Sequence, residues 1–142
     1  MTEATDMKMR NVGLLVMRVG FGLMIAIAHG WPMMMGGMRE WMEKGAAMAN
    51  LGIQFSPAFW GFMAAFSELV GGLCIMLGIF VRPMSGLIAF TMFVAAISHF
   101  SRGEGASGAA LAIQFGGVAI GLALIGSGEY SISRLLFDRK KA

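Results

Sequence analysis

The sequence predicts an all-α integral membrane protein: one domain, 1–142, folded as an antiparallel four-helix transmembrane bundle with both termini cytoplasmic. Three observations carry that reading. Of 142 residues, 57% are hydrophobic and only 13% charged, about half the charged share of a soluble domain. The mean hydropathy is +0.72, so too few polar residues remain to build a hydrated shell around a soluble core. Four apolar runs, about 12–35, 57–81, 83–100 and 107–125, reach or approach the roughly 20 residues that cross a bilayer. None alternates as a β-barrel strand would, and a helix satisfies its own backbone hydrogen bonds in lipid.

Helix 1, 12–35, places Arg18, Gly22, Ile25 and His29 on one face. Ala26-Ile27-Ala28 resembles a signal-peptide cleavage site. Arg18 interrupts the apolar core and the run continues past the site, so helix 1 is expected to be retained. The stretch HGWPMMMGGMREWM that follows puts Trp31 and Trp41 at the outer interface, where tryptophan is enriched. Ser56-Pro57 reads as the start of helix 2, with serine as cap and proline in the first turn. One face of helix 2 carries Gly61, Ala64, Glu68, Gly71, Cys74 and Gly78. All but the glutamate are small, and small residues let helices approach closely in lipid. Arg82-Pro83 opens helix 3, making a tight hairpin with helix 2, and helix 3 ends in Ser98-His99. Helix 4 aligns Ser107, Ala110, Gln114, Gly117 and Gly121 before the stop signal Gly126-Ser127-Gly128. The tail 130–142 joins Ile132, Leu135, Leu136 and Phe137 to four basic residues, the pattern of a short helix lying on the inner leaflet.

Lysine and arginine set the orientation. The side holding both termini carries Lys8, Arg10, Arg82, Arg134, Arg139, Lys140 and Lys141, against Arg39, Lys44 and Arg102 on the other. Seven against three places the termini in the cytoplasm. The net charge of +3 is therefore a topology signal, whose partner is membrane lipid and not nucleic acid.

Each helix brings a polar group. At 1.5 Å per residue, Glu68 and Gln114 lie about 18 Å deep, near mid-membrane, with His29 and His99 nearer the outer face and Arg18 below Glu68. Ionisable groups in a membrane are costly and are usually partnered or functional. Glu68 is thus either a polar lock, hydrogen-bonded to Gln114 or a histidine, or part of a proton-handling or ligand site. No metal is expected. The methionines beside His29 show no ligand spacing for copper, and two lone histidines, His29 and His99, are weak evidence for a haem. Cys74, the single cysteine, excludes a dithiol shuttle. No nucleophile triad, phosphate loop or dinucleotide fingerprint is present.

The SELVGG stretch at 67–72, the LGIFVRP turn at 77–83 and the closing GSGEYSIS at 126–133 resemble the DoxX family of small bacterial membrane proteins. The likeness includes Arg18 with Gly22, His29-Gly30, Glu68 with Gly71-Gly72, Arg82 and His99. Two positions depart from the family pattern. An acid common at the start of helix 4 is missing at Ser107, where the nearest acid is Glu104, and Ser133 stands where the closing motif often has aspartate. The resemblance implies a protein of the bacterial inner membrane linked to quinone redox chemistry, as a quinone-interacting subunit or component of a membrane oxidoreductase system. Glu68, His29 and His99 are then the expected catalytic residues, with Arg18, Trp31 and Gln114 as ligand-binding residues. Glu68 would relay protons, the histidines would orient the ring, Arg18 would tune Glu68 from below, and Trp31 would line the outer mouth. Quinone is the expected ligand and a redox subunit the expected partner; a homo-oligomer is compatible. Two other classes stay open: a structural anchor for a redox partner, acting through segment 36–56 or the tail, and a small transporter.

Overall fold

A single unbroken helix, Glu3–Met35, crosses the molecule first. It consists of α1 (Glu3–Met24), a π-helical turn (Ile25–Gly30) and α2 (Trp31–Met35). Then come α3 (Gly37–Gly45), a 3-10 turn (Ala46–Leu51), α4 (Pro57–Leu77), α5 (Val81–Ser101), α6 (Gly105–Ile125) and α7 (Ile132–Arg139). The computed structural model describes residues 2–139, the last three by backbone alone. Within them every regular element is helical, and four helices are long and apolar enough to span a bilayer. Lys140 and Lys141, counted in the charge balance, lie outside the described residues.

Successive spans run antiparallel. α1 packs on α4, α4 on α5 and α5 on α6, while α6 touches α1 only lightly. Lipid tails are as apolar as leucine, so close packing rather than hydrophobic burial holds such helices together. Glycine makes it close. A Cβ on Gly22 would sit 2.5 Å from the Gly72 carbonyl oxygen and 2.7 Å from the Met76 nitrogen, so α1 and α4 cross backbone on backbone. Beneath the centre, Ile25, Ile75, Ile88 and Leu122 have no exposed surface and form an apolar floor.

The ends follow their local chemistry, with two corrections. α4 stops at Leu77 rather than near 81, because Gly78 adopts a left-handed φ of 75°, which only glycine enters freely. Pro57 occupies the first turn of α4 as expected, but Ser56 is itself left-handed, at φ 50°, and makes no side-chain cap. The larger addition is on the loop side. Segment 36–56, without an assigned element in the sequence reading, folds as α3 and the 3-10 turn and packs back onto α4. A Cβ on Gly45 would strike the Pro57 backbone, and one on Gly61 the Trp41 backbone.

Candidate functional site

Between the floor and this folded segment lies a cavity of about 870 Å³, within the range of small-molecule sites. α3 and the 3-10 turn roof it through Glu40, Lys44 and Met48, and the spans wall it with Met33, Met63, Met92 and Phe115. Glu68, from the middle of α4, lines it at only 3% exposure. Its Oε2 is buried without a hydrogen-bond partner among the described residues. The neighbouring Ser67 is satisfied, with its hydroxyl bonded to the Ala64 carbonyl and the Thr91 hydroxyl, both at 2.9 Å. Two further orphaned polar atoms belong to lining residues: the Trp60 Nε1–H and a Glu40 carboxylate oxygen. A buried polar atom without a partner is costly, so this cavity suits a ligand that supplies both an acceptor and a donor.

His29 reaches the cavity through the π turn. Such turns re-aim side chains and are frequent at functional sites. Here the turn leaves Gly30 against α4, where a Cβ would run into the Leu69 backbone, and His29 on the cavity wall. The His29 ring meets Phe115 edge-on, with centroids 5.4 Å apart, and Phe115 meets Phe21 at 5.8 Å. These rings close the light α1–α6 seam. His99 lines the cavity from the far end of α5. Its Nδ1 lies 2.6 Å from Glu104 Oε2, while Arg102 Nε donates to Glu104 Oε1 at 2.7 Å. The His99 hydrogen bond foremost, and then Arg102, hold the Glu104 carboxyl below the usual carboxylate range. Glu104 thus stands at the cap of α6, close to where the family pattern led us to look for an acid.

Glu68, His29 and His99 therefore share one cavity, whereas three other expected residues are placed elsewhere. Gln114 faces outward. The buried face of α6 is Ala109, Ala112, Gly116, Ala119 and Leu122, and Gln114 stands two positions, about 200°, from both Ala112 and Gly116. Small residues occur all round this helix, so their spacing did not single out the inner face. Trp31 is 54% exposed, at an interface position, and the lining tryptophan is Trp60. Extending the Glu68 stripe back two turns, through Ala64, reaches Trp60 directly. Arg18 is 1% exposed but points away from Glu68. Its guanidinium donates to the carbonyls of Ser127 and Tyr130, both at 2.5 Å, at the end of the bundle that holds the termini. Ser133, where an aspartate was expected, donates to the Gly78 carbonyl at 2.7 Å and ties the tail to the α4–α5 turn.

Comparison with known proteins agrees with this architecture. The DoxX family model matches residues 13–101, more than half of the chain. "Inner membrane protein YqjF" of Escherichia coli (strain K12) is 31% identical over 134 residues, covering 91% of this chain and 95% of that protein. No solved structure matches significantly. With four apolar spans and an inner-membrane relative, the protein is a multi-pass protein of the inner membrane. By the family match, supported by the relative's identity and coverage, this chain belongs to the DoxX family.

Proposed function

We propose that the protein is the quinone-interacting subunit of a membrane oxidoreductase system, with its termini in the cytoplasm. The observation that carries this is the cavity itself: about 870 Å³, walled by methionine and aromatic side chains, with an unpartnered buried carboxylate oxygen on Glu68 and two histidines in the same lining. A quinone ring fits these residues in kind. Its carbonyl oxygens accept from Trp60 Nε1–H and a histidine N–H, its hydroxyls once reduced donate to Glu68, and flexible thioethers adapt to ring substituents. Reduction of a quinone consumes two electrons and two protons. Glu68 and the histidines hold and pass the protons, as positioned acids and bases do. The electrons come from a partner subunit or a second small molecule. Arg18, Trp31 and Gln114 take no part in it.

The test is to purify the protein in mild detergent, extract it with organic solvent, and quantify quinone per chain for wild type and Glu68→Gln. Near-stoichiometric quinone in wild type is expected. With the bound pool kept reduced, retained quinol should fall about tenfold or more in a still-folded variant, since its hydroxyl donates to Glu68 and one hydrogen bond to a charged group is worth at least that. No quinone in either protein would sink the proposal.

A further inference from the structure

Glu104 has no role in the ligand site just described, yet it makes two of the shortest polar contacts in the molecule. It lies outside the spans, in the short α5–α6 connection, with its side chain 41% exposed. Its partner His99 is 31% exposed and lines the cavity. One imidazole thus touches the cavity and, through a carboxylate, the water beyond the bundle. The hydrogen-bond assignment follows from the chemistry of the partners. Arg102 only donates and an ionised carboxylate only accepts. Arg102 Nη2 lies 3.1 Å from His99 Nδ1, against 2.6 Å for Glu104 Oε2, so Nδ1 carries the proton and gives it to Glu104. Nε2 is left bare as a base.

Toward the chain termini lie Ile25, Ile75, Ile88 and Leu122, buried without exposed surface, and beyond them Arg18 is fixed on Ser127 and Tyr130. We infer that His99 and Glu104 are the cavity's proton-exchange route, and that protons enter and leave it at the face away from the chain termini. This rests on the cavity hosting proton-coupled chemistry, as proposed above. In the outward direction a ligand hydroxyl gives its proton to Nε2. The doubly protonated ring gives its Nδ1 proton through Glu104 to water at that face, and the ring, left as the Nε2–H form, returns to Nδ1–H by exchange with that water, so one proton enters the ring and one leaves. The inward direction is the reverse. Besides Glu104 and Arg102, the ionisable groups sharing the cavity with His99 are Glu40, Glu43 and Lys44 on α3, Glu68 on α4 and His29 on the π turn. Chemistry at this ligand would therefore be coupled to the pH of one compartment only.

Two measurements test this without any quinone. The chain has two histidines, so ¹⁵N-histidine labelling resolves both rings. Where its ring is neutral, His99 should be in the Nδ1–H form. Glu104→Ala should move it toward the Nε2–H form that free histidine prefers. So should Gly108→Ala, whose Cβ would sit 2.5 Å from the Glu104 Cβ and 2.8 Å from its Oε2, displacing that side chain without removing its charge. The second measurement uses Ser98→Cys, a cavity-lining position, in a Cys74→Ala background. A charged, membrane-impermeant thiol reagent should label it from the loop face and not from the termini face, where a Thr5→Cys control reacts. An unchanged His99 tautomer in both variants, or labelling of Ser98→Cys from the termini face or from neither, would overturn the route. Absence of bound quinone with both results as expected would instead discard the quinone reading and keep the sidedness of the cavity.

Discussion

Arg18 shows how a charge is kept inside a membrane protein. At 1% exposure it gives two hydrogen bonds to backbone carbonyls of the 127–130 turn, and its Nε stays buried without a partner among the described residues. It therefore clamps helix 1 to the segment that leads into α7. Arg18→Met should lower stability in detergent by about 3 kcal/mol, since two hydrogen bonds to a charged group are lost and two carbonyls stay buried. Arg18→Lys should recover only part of that, because an ammonium lacks the planar fork that serves both acceptors. Denaturation curves read both variants, and equal stability of all three proteins would refute the clamp. Glu104 gives a pH signature. Its carboxyl is held low mainly by the hydrogen bond from His99, so the ionised form favours the fold. That contribution is complete above the unfolded carboxyl value of about 4.3 and is lost as pH falls through the lower folded value. The thermal midpoint of wild type should exceed that of Glu104→Gln from about pH 7 to pH 5, and the two should converge in stronger acid.

At the scale of elements, the contact between α3 and α4 decides whether the cavity has a roof. Gly45 and Gly61 are the points where the two backbones meet. Gly61→Ala forces a methyl into the Trp41 backbone and should cost about 1–3 kcal/mol, the usual range for overpacking. It should also reduce retained ligand, because α3 must lift away. Gly86, in α5, has open space where an added methyl would sit, with no atom within 4 Å. Gly86→Ala should therefore stabilise the helix by about 0.5–1 kcal/mol through backbone entropy alone. Measuring melting and ligand content side by side separates the two effects. The same behaviour of both variants would mean that α3 is not held by that contact. The sequence hides the roof because α3 carries charge, with Arg39, Glu40, Glu43 and Lys44 in nine residues, and charge near a membrane reads as a loop. The signal was the glycine pair, invisible until the partner helix was known.

For the whole molecule, the proposed orientation has its own test. A fluorescent protein fused at the C-terminus should be bright and a phosphatase fused there inactive, with the reverse for fusions after Leu51; the opposite pattern would invert the topology. Orientation also fixes which compartment the cavity reads, since His99 and Glu104 lie at the end opposite the termini.

Four spans and their approximate limits were legible in the sequence because each depends on length and hydropathy, which are additive along the chain. Glu68 was legible too: one carboxylate on a stripe of small residues has a single inward face. Helix 4 has no such contrast. Glycine and alanine occur on all its sides, so the outward Gln114 and inward Phe115 separate only once α5 takes up Ala109, Ala112 and Gly116. Arg18 could have reached toward Glu68 or away from it, and the carbonyls of Ser127 and Tyr130, more than a hundred residues later, decided the direction. What the chain determines by itself is how many times it crosses the membrane and which residues are costly there. Which of those residues meet is decided by the rotation of each helix about its axis, and that follows from packing between elements distant in sequence.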